Sequence, residues 1–210
     1  MSEFFNHHGS IQVMFIGTLT LLAMRRLALA AVLLSPLALV AQTLATPTAA
    51  HAPAADPGLA YREAMRPVAW LVGEWEGSGW FMSPAGRGTF TQKETVRLAA
   101  NGTVLVIDGL GTGVTPEATR GQPVHQAFAM VTWDAAARTF RMTAQRYGGD
   151  AVIDTPEVSE GRYVWRMTVP TGRIRFTIVR TPAGEWHETG EFSPDGTQWH
   201  LFMDFVLKRR

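Results

Sequence analysis

The residues best placed to do chemistry are polar side chains standing where an alternating pattern calls for apolar ones. Gln92 and Glu94 fall in register with Phe90, Val96 and Leu98; Asp108 follows Val104 and Val106, Arg146 follows Ala144, and Arg180 follows Ile178. Charge on an apolar face is costly unless paired. Such groups therefore sit at a rim, pair with one another, or meet the polar head of a mainly apolar ligand. The candidate pocket combines Glu94, Asp108, Arg146 and Arg180 with the large residues expected on the same faces, Phe140, Met142, Tyr163, Trp165 and Phe176.

Other chemistry finds less support. With no cysteine, thiol nucleophiles, cysteine-based metal sites and disulfides are excluded. Ser78 lies in Glu-Gly-Ser-Gly-Trp, which is not a nucleophile elbow and reads as strand. His187-Glu188 lacks the second histidine of a zinc-protease helix. Gly109, Gly111 and Gly113 alternate without a following helix, so they read as a loop or bulge and not as a phosphate site. No catalytic constellation is recognisable, and no enzyme activity is expected.

The elements that must position these residues are strands. After Gly73 the chain alternates with period two and is cut by turn signals, among them Asn101-Gly102, Pro170-Thr171-Gly172, Pro182-Ala183-Gly184 and Ser193-Pro194-Asp195-Gly196. Ten strands are predicted, near 74–82, 88–99, 103–112, 124–133, 138–147, 150–155, 161–169, 173–181, 185–193 and 197–208. Short connections make them a meander, and a meander of this length removes its edges by closing. The fold class is therefore all-β, a single antiparallel up-and-down barrel of about ten strands. Phe140, Met142 and Ala144, then Tyr163, Trp165 and Met167, then Ile174, Phe176 and Ile178 should point inward. Arg141, Arg162, Arg166, Arg173 and Arg175 should face solvent. Ahead of the strands, Asp56-Pro57 offers a helix start, Leu59–Met65 reads as a short helix, and Pro67 leads into a final tight turn.

Residues 1–50 read as a targeting region. Met24-Arg25-Arg26 and the apolar run Leu27–Ala41 form the charged and apolar parts of a secretory signal, with cleavage expected between about Gln42 and His51. Met24 is itself a good start residue, so residues 1–23 point to a start placed too early. A membrane span through Ile11–Ala41 would bury Arg25 and Arg26 at roughly 2.5–3.5 kcal/mol each. Export to the periplasm or medium, with no stable span after cleavage, is the expectation. Residues 51–58 read as linker and 59–210 as the barrel. The formal charge of +1 gives no basic footprint for nucleic acid.

The segment Ala69-Trp70-Leu71-Val72-Gly73-Glu74-Trp75-Glu76-Gly77-Ser78-Gly79 resembles the opening of the nitrobindin family of heme-binding β-barrels, and Gly73-x-Trp75 is similar to the lipocalin and calycin signature. Ser193–His200, with Trp186 and Glu188, resembles bacterial lipocalin-like domains of unassigned function. The resemblance implies a barrel end built by Gly73, Trp75, Gly77 and Gly79, with Lys208, Arg209 or Arg210 covering the tryptophan. It also implies a heme alternative, in which His200 of Gln198-Trp199-His200-Leu201 ligates the iron. Trp199, Leu201, Met203, Phe205 and Leu207 form the more apolar face of that strand, which puts His200 outside with Asp204. No resident cofactor is expected, and the partner is a small hydrophobic or amphipathic molecule. A barrel filled by its own side chains, serving as an envelope interaction module, is the further alternative.

Overall fold

The computed structural model describes residues 56–210; the targeting region and linker residues 51–55 lie outside the described residues. Helix α1 spans Leu59–Met65 as predicted, and a 3₁₀ helix follows over Arg66–Leu71, with Pro67 in its first turn. Gly58 is the N-cap residue. Asp56 sits two residues earlier, where its carboxylate accepts the Gly58 N–H and pairs with Arg62.

Eleven strands follow: β1 Gly73–Ser83, β2 Gly86–Ala99, β3 Val104–Gly113, β4 Pro123–Asp134, β5 Thr139–Arg146, β6 Ala151–Asp154, β7 Glu157–Ser159, β8 Arg162–Val169, β9 Gly172–Arg180, β10 Trp186–Ser193 and β11 His200–Arg209. They form one antiparallel sheet in the order β6-β5-β4-β3-β2-β1-β11-β10-β9-β8-β7. The sheet curls on itself through the β1–β11 ladder, which brings the two ends of the domain together.

The eleventh strand is β7, which forms beyond Pro156 in the stretch left between the predicted strands 150–155 and 161–169. β6 and β7 run in the same direction one after the other, with only Thr155 and Pro156 between them. Proline has no N–H to give a ladder and restricts the residue before it. As a result β6 pairs with β5 alone and β7 with β8 alone, leaving a seam. A side chain bridges it: the Asp154 carboxylate accepts the Arg166 backbone N–H at 2.8 Å. The last strand begins at His200, three residues later than expected, because Asp195 folds the preceding turn by accepting the N–H groups of Thr197 and Gln198.

One end of the curled sheet is plugged. Met65, Val68 and Leu71 enter it from the helical segment and pack with Trp75, Leu105, Val131, Trp186 and Leu207. Trp75 donates its indole N–H to the Leu71 carbonyl at 2.7 Å and meets Trp186 edge-on, centroids 5.9 Å apart. Arg209 lies over the Trp75 ring at 4.4 Å and donates to the carbonyls of Val72 and Trp70. The expected basic cover on the tryptophan is therefore Arg209. Gly73, at φ +146°, makes the turn into β1.

The outward arginines are interleaved with acids. Arg141 pairs with Asp134, Arg166 with Glu157, and Arg175 with Glu191. They form mixed-charge ladders on a solvated face, each pair worth little by itself. Among the described residues no helix is long and apolar enough to cross a membrane.

Candidate functional site

In antiparallel pairs directly opposed residues share a face, so the register reports what points into the curl. Trp75, Gly77 and Gly79 of β1 oppose Glu94, Gln92 and Phe90 of β2, which in turn oppose Gly109, Gly111 and Gly113 of β3. The three alternating glycines therefore lie inside a strand and not in a loop, and of the loop or bulge expected from sequence a register shift against β4 between Gly111 and Thr112 remains. Their function is spatial. A Cβ built on Gly109 would stand 2.6 Å from both carboxylate oxygens of Glu94, and one on Gly111 would stand 2.5 Å from the Gln92 Oε1. On the other flank, a Cβ on Gly77 or Gly79 would collide with the β11 backbone at Val206 or Asp204. Polar side chains of β2 thus occupy room that the glycines of β3 vacate.

Opposite them β10 carries Trp186, Glu188 and Gly190 inward, facing Ile178 and Phe176 of β9 and Phe205 of β11. Glu188 accepts the Trp186 indole N–H at 3.0 Å, and Gln92 donates to Glu94 at 2.6 Å. Gln92, Glu94 and Glu188 are only 2%, 6% and 8% exposed. Among the described residues neither glutamate has a cationic partner. Burial pushes Glu94 up to about 7, against the Gln92 hydrogen bond, with the charge of Asp108 adding to the rise. Burial and then the neighbouring Glu94 charge push Glu188 up to about 8. Tyr163, opposite Ile178, is raised by burial first and then by Asp154 and Glu188. Its hydroxyl and the Gln92 Oε1 are buried without a hydrogen-bond partner. This layer forms a polar floor in an otherwise apolar interior.

Above the floor β4, β5, β8 and β9 show the same gradient toward the other end, while β2 and β3 stay buried as far as Gly88 and Gly113, against Ala118. On β9, Ile178 is buried while Phe176 and Ile174 are half-exposed; on β8, Tyr163 is buried while Trp165 and Met167 are half-exposed. On β5 burial falls from Phe140 and Met142 to Ala144 and then to exposed Arg146, and on β4 from Val131 to Ala129 and Ala127 and then to exposed His125. Trp165 stacks on Phe176 with centroids 4.2 Å apart, and Phe176 meets Phe202 edge-on. The curl therefore has a filled, plugged end and an aromatic mouth.

The structure disperses the pocket predicted from sequence. Glu94 and Tyr163 belong to the floor, and Trp165 and Phe176 to the aromatic wall. Phe140 packs on Trp133 with Met142 in the closed core, so neither lines the mouth. Arg146 and Arg180 have inward register but lie exposed at opposite ends. Asp108 is corrected outright: it opposes Thr95 and Phe128 on the outer face and is exposed. Glu188 was missed as an interior group, although its alternation with Trp186 and Gly190 is the signal that finds it.

His200 also moves. A bulge on β11 puts Phe202 and Met203 against Gly190, so Glu191 opposes Leu201 and Phe192 opposes His200. Leu201 is therefore outward, 47% exposed, and His200 stands on the inner side at the exposed mouth. Trp199 is outside, under the Arg175 guanidinium at 4.2 Å. His125 shares the mouth, its pKa lowered by the protein around it and then by Arg146. The described residues contain no group of three or more metal-ligating side chains.

No family model and no curated protein matches the chain. Among solved structures, the crystal structure of Rv2717c from M. tuberculosis superposes with a TM-score of 0.50 at 14% identity, covering 70% of this chain and 97% of that one. The S-type phycobiliprotein lyase CPES from Guillardia theta gives 0.43 at 10% identity, covering 67% and 88%. At 14% identity the first likeness is one of fold and agrees with a lipocalin-like β-barrel.

Proposed function

We propose that the chain is a binding protein that takes a small amphipathic molecule through its open mouth, tail against the Trp165–Phe176 wall and head toward the polar floor. The observation that carries this reading is the burial gradient, which leaves large apolar side chains half-exposed on the inner face of strand after strand. A barrel filled by its own side chains would bury them, and exposed aromatic surface of this kind is stabilised by an apolar occupant. No reaction is assigned to the site. Glu188 points inward while His187 pairs with Asp204 at 3.1 Å on the outer face, so the two share no substrate. Action outside the cytoplasm is part of the proposal and rests on the Met24–Ala41 pattern.

Native mass spectrometry of the full chain and quenching of tryptophan fluorescence by dodecanol test the reading. Saturable quenching at one molecule per chain, lost in Trp165→Ala, is expected. An unchanged spectrum would overturn it. Heme is the second reading, favoured by the bulge that brings His200 to the inner side. His200 would hold the iron, and Phe192 beside it is apolar surface of the kind a porphyrin covers. A hemin titration that gives no Soret shift, or one unchanged in His200→Ala, would end that alternative.

A further inference from the structure

With Glu94 and Glu188 ionised, the polar floor has more acceptors than donors. The donors are the Trp186 indole N–H and the Gln92 amide, already given to Glu188 and Glu94, and the free Tyr163 hydroxyl. Facing them are the carboxylate oxygens of Glu94 and Glu188 and the unpartnered Gln92 Oε1. Gln92 is 2% and Tyr163 1% exposed, so water does not freely make up the difference. Buried acceptors of this kind are expensive to leave unmet. A fully apolar ligand would leave an ionised floor so, and an anionic head would oppose the ionisation of both carboxyls.

We infer that the floor receives the N–H donors of a cationic nitrogen head, an alkylammonium or amidinium group, carried on an apolar tail. The inference rests on the lumen-binding reading above. The other charged groups with inward register are placed where they do not neutralise the floor. Asp154 on β6 is held by the Arg166 N–H, Arg209 on β11 by the Trp75 ring, and Arg180 on β9 is exposed at the plugged end. Arg146 on β5 and His200 on β11 are exposed at the mouth, where solvent screens them, and His125 on β4 is held toward its neutral form by burial and then by the Arg146 charge. A cation between Glu94 and Glu188 favours their charged forms, so binding at neutral pH should release protons.

The test compares dodecylammonium, dodecanol and dodecanoate by calorimetry on the full chain, in two buffers of different ionisation enthalpy. The amine should bind tighter than the alcohol by about tenfold or more, with proton release, because charge-assisted hydrogen bonds are the strong ones. Glu94→Gln with Glu188→Gln should erase the preference while the alcohol still binds. Tyr163→Phe provides a milder second variant, expected to weaken the amine and not the alcohol. Equal binding of amine and alcohol, tighter binding of dodecanoate, or a preference that survives in the folded glutamine variant would each sink the headgroup inference and leave lumen binding standing. If none of the three binds, the lumen reading itself falls.

Discussion

With ionisation moved up to about 7 and about 8, Glu94 and Glu188 make the stability of the fold depend on pH. A raised carboxyl pKa means that the folded chain holds its proton more tightly than the unfolded one. The advantage is complete below the ordinary glutamate range and is lost as pH rises through the folded values. Denaturant melts should therefore show stability falling by a few kcal/mol between about pH 5 and pH 9, and Glu188→Gln should flatten that fall. A wild-type profile that stays flat over this window would show that folding leaves the ionisation of both carboxyls unchanged. Gly109→Ala tests the space beneath Glu94. Its Cβ meets both carboxylate oxygens at 2.6 Å, so overpacking should cost about 1–3 kcal/mol and remove amine binding together with the carboxyl's placement.

Two strands are irregular at places that matter. The bulge in β11 reverses which side each residue takes on the His200 side of Met203, so a histidine expected outside arrives at the mouth. The break at Pro156 leaves β6 and β8 joined across the seam by one side chain, Asp154, and not by a ladder. Asp154→Ala should cost about 1–3 kcal/mol and speed amide exchange at Arg166, read by hydrogen exchange with residue resolution. If Arg166 stays as protected as in the parent, the carboxylate does not hold the seam. Of the pocket predicted from sequence, Glu94 and Tyr163 reach the floor and Trp165 and Phe176 the wall, all at positions where alternation was unbroken. Asp108 was misplaced because Val104 and Val106 look like an inward pair. Val106 is buried on the outer face, and the inward set is Leu105 and Ile107 with the glycines.

At the scale of the whole molecule the plugged end sets the polarity of the barrel. Arg209 joins the last strand to the helical entry by stacking on Trp75 and donating to two carbonyls, so both ends of the domain are fastened at one point. Arg209→Ala should destabilise the fold by about 1–3 kcal/mol and weaken the near-ultraviolet dichroism of the buried tryptophans. Arg209→Lys should recover little, because an ammonium cannot stack and fork at once. Full rescue by lysine would reduce the contact to charge alone.

Alternation, turn residues and the Gly73-x-Trp75 opening determined, from sequence alone, an antiparallel curled sheet with a helix at one end and a covered tryptophan. These are local and periodic properties, and each strand declares its own two faces. Tertiary structure decided which face of the irregular strands looks inward, because one bulged residue or one proline changes parity without changing composition. It also decided which end stays open and that Glu94 and Glu188, 94 positions apart, influence each other across one polar floor. No stretch of sequence carries that proximity, since it exists only once the β1–β11 ladder has joined the two halves of the curled sheet.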